Sequence, residues 1–134
     1  MNIKVATSQF STIKGDFDAN LNKAINIIEK ASKQQVDILL LQELFQDNYF
    51  CSTKNDKFFN LAINYPSHSM FEKLSNICKE KKISLPVSFF EKKGDKFFNS
   101  LVMIDSLGKF SEVYNKSHIP EGPGYNEKFY FGKG

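Results

Sequence analysis

With 134 residues, 41% of them hydrophobic and 25% charged, the chain is at most one domain and long enough to bury a real core. A net charge of +3, scattered along the sequence, argues against a nucleic-acid partner, and the densest basic run, Lys79, Lys81 and Lys82, reads as a solvated helix end. The longest aliphatic run, Ile38 to Leu41, is far too short to span a membrane, and Met1 to Val5 leads straight into alternation with no export signal.

A cytoplasmic location follows as the expectation, with Cys51 and Cys78 as free thiols. Only His68 and His118 stand beside them as imidazole ligands, and no metal-ligand spacing is present, so no metal site is expected.

In chain order, Ile3 to Phe10 alternates as a first strand and Gly15-Asp16 breaks it. Leu21, Ala24, Ile25, Ile28 and Ala31 then recur at helical spacing between Asp18 and Lys33. Val36 to Leu41 is a continuous aliphatic run, the pattern of an interior strand buried on both faces. Strand, helix, strand predicts a right-handed βαβ crossover, in which ligands sit at the carboxyl ends of the strands.

Phe45 to Asn55 is irregular, and a short helical stretch covers Phe58 to Ile63 before Pro66. Ser69-Met70-Phe71-Glu72 has the form of a capping box for a helix reaching Lys82, which buries Met70, Phe71, Leu74, Ile77 and Cys78. On that face Cys78 is a small core residue rather than a nucleophile. Ile83 to Phe90 and Phe97 to Asp105 form a hairpin across Lys92 to Asp95, and Lys109 to Asn115 is the last strand.

Two residues stand where such a sheet places chemistry. Glu43 leaves the aliphatic strand, where a carboxylate is paired, raised in pKa or set in a cleft unless it merely caps a helix or faces solvent. Lys116 closes the last strand. After it, Glu121-Gly122-Pro123-Gly124 is a loop by composition that delivers Glu127 ahead of Phe129, Tyr130 and Phe131. Glu43 and Lys116 meet if their strands share an edge or a direction. The alternative is a basic surface turn over an aromatic cluster. A nucleotide-binding domain is disfavoured, since no glycine-rich loop follows the first strand.

The segments VATSQF, LLLQELF, VSFFE, FFNSLVMID, YNKSHIP and GPGYNEKFYF, in this order, resemble successive landmarks of the carbon–nitrogen hydrolases (the nitrilase superfamily), most closely the N-carbamoylputrescine amidase branch. The resemblance implies an α/β fold, the amino-terminal half of an α-β-β-α sandwich, with residues 1–134 as one incomplete domain. It aligns Glu43 with the family's general base and acid, Lys116 with its oxyanion stabiliser, and Glu127 with a second glutamate that orients the lysine or the substrate. It implies hydrolysis of a ureido C–N bond without a cofactor. β-Ureidopropionase and ω-amidase chemistry remain alternatives.

The family's nucleophilic cysteine follows a further strand, in a Cys-Trp-Asp-like setting. This sequence has no cysteine beyond Cys78 and no Trp. The expectation is a chain inactive by itself, loosely packed where Leu39, Leu40, Phe89 and Val102 lose cover. It would act on a ureide or amide once a carboxyl-terminal chain completes it, or assemble as a homo-oligomer, or persist as a non-catalytic interaction module. Glu121 or Glu127 is a candidate attractor for a cationic substrate amine.

Overall fold

The computed structural model describes residues 2–134. A short strand β1 (Val5–Thr7) leads into helix α1 (Phe17–Lys33), which returns to β2 (Ile38–Leu40), parallel to β1. Helix α2 (Ser69–Lys81) precedes a long antiparallel hairpin, β3 (Leu85–Lys93) with β4 (Lys96–Ile104). Strand β5 (Tyr114–Asn115) pairs antiparallel with the middle of β4. Ser84, just before β3, exchanges backbone hydrogen bonds with Asp37 and Leu39 at 2.8 and 3.0 Å, so β1, β2, β3, β4 and β5 run side by side in that order.

Helix α1 forms where its apolar spacing predicts. Asp16 caps it by accepting from the Ala19 N–H at 2.9 Å, and Lys30 and Lys33 stand in its last turn, where the helix dipole favours cations. Helix α2 starts differently from the expected capping box. His68, not Ser69, is the N-cap, with Nδ1 accepting from the Met70 N–H at 3.3 Å. Burial holds the His68 pKa below its ordinary value, which favours the neutral ring an acceptor requires. Ile77 is only partly buried, whereas Met70, Phe71, Leu74 and Cys78 are fully inside.

Both helices pack on one face of the sheet. Leu39, Leu85, Val87, Phe89, Val102 and Ile104 point into that core and are at most 1% exposed. Burying each large apolar side chain stabilises by roughly 1.5–3 kcal/mol. Leu39, Phe89 and Val102 are thus covered by the chain's own helices, contrary to the expectation that they lose cover. The aliphatic run at β2 is likewise not buried on both faces: Leu39 faces the helices, while Leu40 faces away and is 44% exposed. The last strand is also shorter than its alternation suggests: Lys109 to Val113 meet β4 through a bridge from Phe110 to Ile104, the Ser111 N–H to the Met103 carbonyl and the Met103 N–H to Ser111 Oγ, without forming a continuous ladder.

A second, largely aromatic core lies at the far end of the hairpin. Phe50 and Phe90 stack at 5.0 Å, and Tyr130 and Phe131 close on them edge-on. Two 3-10 turns, Phe50–Ser52 and Asp56–Leu61, supply one wall where the sequence reads as irregular and short-helical. The other wall is a one-turn helix α3 (Glu127–Tyr130) that follows a two-strand loop, β6 (Glu121–Gly122) and β7 (Tyr125–Asn126).

Candidate active site

Glu43 stands three residues beyond β2, on a segment held from several sides. The Leu44 N–H donates to Ser88 Oγ at 3.1 Å, Gln46 Nε2 donates to the Ser88 carbonyl at 2.7 Å, and buried Asn20 donates to the Gln46 carbonyl at 3.0 Å. Leu44 itself adopts φ +52. A non-glycine residue in that region costs roughly 1–3 kcal/mol, offset here by its burial and its hydrogen bond to Ser88. The strained step turns the chain directly after the carboxylate.

Lys116 follows β5, and its backbone N–H donates to the Asn99 carbonyl of β4 at 2.8 Å. Glu127 opens α3, which the aromatic core anchors: Tyr130 packs against Phe50 while its hydroxyl donates to the Thr53 carbonyl at 2.6 Å. The turn between β6 and β7 needs Gly124 at φ +82, a conformation that glycine enters freely after Pro123. Aromatic run and Pro-Gly loop thus act together to bring Glu127 back over Lys116.

The convergence expected for the three residues is present. Lys116 Nζ donates to Glu127 Oε2 at 2.8 Å and to Glu43 Oε1 at 3.2 Å. The Glu127 carboxylate is buried, whereas the Glu43 side chain is about half exposed at 49%. Burial works against the charged ammonium, but the hydrogen bonds to Glu127 and Glu43 outweigh it and hold the Lys116 pKa above the ordinary lysine value. A fixed cation and a reachable carboxylate therefore stand side by side, the pair needed to stabilise an oxyanion and to move a proton.

Two further residues complete the network, and the sequence reading misses both. Tyr49 donates its hydroxyl to Glu127 Oε1 at 2.8 Å, and Asn99 Nδ2 donates to Glu43 Oε1. Asn99 had a legible signal, a polar residue inside an apolar strand. Tyr49 had none, sitting in an irregular polar stretch. Burial, followed by the bond to Glu127, pushes the Tyr49 phenol well above its usual range, so it remains a donor.

Neither carboxylate singled out for a substrate amine stands unpaired. Both Glu127 oxygens are engaged, and Glu121 lies 3.4 Å from Lys54 Nζ and accepts the Lys128 N–H at 3.2 Å. Cys51 and Cys78 are fully buried. Burial pushes each thiol up to about 12, with the Glu127 and Glu43 charges adding to the effect at Cys51. A thiol so held is no nucleophile at neutral pH. Among the described residues, no group of three or more His, Cys, Asp or Glu side chains is placed to hold a metal ion, and no helix is long and apolar enough to cross a membrane.

The chain is 39% identical over 132 residues to the N-carbamoylputrescine amidase of Solanum lycopersicum, covering 98% of this chain and 44% of that protein. It is 40% identical over 133 residues to the citrullinase of Francisella tularensis, covering 99% of this chain and 46% of that protein. The fold superposes on the crystal structure of a carbon-nitrogen hydrolase from Helicobacter pylori G27 with a TM-score of 0.84 and 31% identity, over 98% of this chain and 45% of that one. The chain spans less than half the length of each of these relatives. The carbon–nitrogen hydrolase family model matches residues 4–134, and the chain belongs to that family.

Proposed function

We propose that these residues form the acid–base and electrostatic part of an active site that hydrolyses a ureido C–N bond. Its substrate is N-carbamoylputrescine, which with one water gives putrescine, carbon dioxide and ammonia, a step of polyamine synthesis. The observation that supports this reading best is the Lys116 ammonium held between Glu43 and Glu127. A cysteine thiol from residues outside these 134 attacks the carbonyl carbon. Glu43 takes its proton, then returns a proton to the leaving nitrogen, and Lys116 stabilises the tetrahedral oxyanion. Glu127, itself held by Tyr49, keeps the lysine in place. The layer that carries the thiol covers the open face of the sheet. By itself the chain has no useful amidase activity, because the remaining groups give only residual catalysis without a nucleophile.

The citrullinase relative supports a second substrate of the same chemistry, since citrulline also carries a terminal ureido group on an alkyl chain. The deciding experiment isolates the native protein from its source cells with an antibody to this chain. Intact masses are measured, and ammonia release is assayed on N-carbamoylputrescine, citrulline, β-ureidopropionate and an ω-amide. Turnover of N-carbamoylputrescine above the others, lost in Glu43→Gln and Lys116→Met, is the expected result. A 15.4 kDa chain recovered alone and inactive overturns the reading in favour of a non-catalytic remnant.

A further inference from the structure

Asn99 hydrogen-bonds to both Lys116 and Glu43. Its backbone carbonyl accepts the Lys116 N–H at 2.8 Å, and its side-chain Nδ2 donates to Glu43 Oε1. It is 5% exposed, on the strand face opposite its neighbour Ser100, whose hydroxyl instead donates to Glu91 on the helix side at 2.6 Å. An ionised carboxylate only accepts hydrogen bonds, so the amide NH₂ and not the amide oxygen must face Glu43.

The arrangement on Glu43 is one-sided. Oε1 accepts from both Asn99 and Lys116, whereas among the described residues no side chain or backbone group donates to Oε2. The terminal torsion of a glutamate is broad and nearly two-fold, so a half-exposed carboxylate otherwise presents either oxygen. Two donors fixed on one oxygen remove that freedom and leave the other free to handle a proton. Charge explains why the second donor is neutral. Glu43 and Glu127 already share one ammonium, and an amide adds a donor without a further ion.

We propose that Asn99 is a positioning residue for the reaction: it fixes Glu43 through Oε1, so that Oε2 is the oxygen that takes and returns the proton, and it sets Lys116 beside it. This rests on the reading of Glu43 as the general base and acid. In this role Asn99 acts through the geometry of Glu43.

The test compares Asn99→Ala, Asn99→Asp and Glu43→Gln in the active assembly that carries this chain, by steady-state kinetics on N-carbamoylputrescine, with thermal melting as the folding control. Asn99→Ala is expected to lower kcat roughly 10- to 100-fold with KM changed less than about threefold, the scale of a misplaced catalytic group. Asn99→Asp keeps the volume and the backbone bond to Lys116 but turns an acceptor toward Glu43. It is expected to lose at least as much near neutral pH and to recover relative to the parent as pH falls, because the introduced carboxyl donates again once protonated. Should the alanine variant fail to fold, the aspartate variant and its pH profile decide alone. An Asn99→Asp enzyme within threefold of the parent kcat, or with a parallel pH profile, overturns the proposal while Glu43→Gln is inactive. An active Glu43→Gln enzyme overturns the acid–base reading and the proposal with it.

Discussion

The two faces of the sheet are built from the same strands and do different work. Toward α1 and α2, residues such as Leu39, Phe89 and Val102 are sealed at 1% exposure or less. Away from the helices, Val5, Leu40 and Tyr114 stand 61%, 44% and 57% exposed, and the carboxylate, amide and ammonium of the site gather at the rim of that side. The separation turns on single steps along the chain. Ser100 and Asn115 point to the covered face and hold buried Glu91 at 2.6 and 3.0 Å, while their neighbours Asn99 and Lys116 hold Glu43. Strand alternation thus insulates a structural polar cluster from a chemical one, although the two lie a residue apart in two strands.

Substitutions on the two faces break or sharpen this contrast. The largest effect is expected at the sealed face, where Phe89→Ala should cost about 3–5 kcal/mol in chemical denaturation. Leu40→Ala should cost less than about 1 kcal/mol while its face stays open. Equal costs would erase the distinction. If a second layer closes over Leu40 in the assembled protein, its cost should rise by roughly 2 kcal/mol there and only there.

A middle-sized effect belongs to the structural cluster. Asn115→Ala takes one of two side-chain donors from the buried Glu91 carboxylate and should destabilise by about 1–3 kcal/mol, read in the same denaturation experiment. Its effect on kcat should be much smaller than that of Asn99→Ala, since Asn115 faces away from the site. Comparable losses of activity would mean that the two clusters are not insulated.

The smallest effect concerns pH. The folded-state pKa of Lys116 lies above the ordinary 10.5 because Glu127 and Glu43 outweigh its burial. Its contribution is therefore fully present below about pH 10 and is lost as pH rises through the folded value. The difference in melting temperature between the parent and Lys116→Met should stay constant from pH 7 to about 10 and shrink above that. A difference already falling near neutral pH would place the stabilisation elsewhere.

Much of this was readable in the chain. Leu21, Ala24, Ile28 and Ala31 announce α1, the Lys92 to Asp95 turn announces the β3–β4 hairpin, and Glu43 and Lys116 stand conspicuously at strand ends. Other readings failed for identifiable reasons. The aliphatic run at β2 looks buried on both faces because a run records its own apolarity, not what covers it. His68 displaced Ser69 as the cap of α2 because the backbone enters the helix one residue earlier than the S-x-x-E pattern suggests.

By itself the sequence determined the main helices and strands as far as β5, their order, and the chemical types available at their ends, because these follow from local spacing and side-chain chemistry; the short β6–β7 pair and α3 were not among them. Only the tertiary structure decided that Glu43 and Lys116, 73 residues apart, share a hydrogen bond, and that Asn99 rather than Ser100 serves them. The reason is register. A slip of one residue between paired strands sends every side chain to the other face, and no single strand states which face will meet the site.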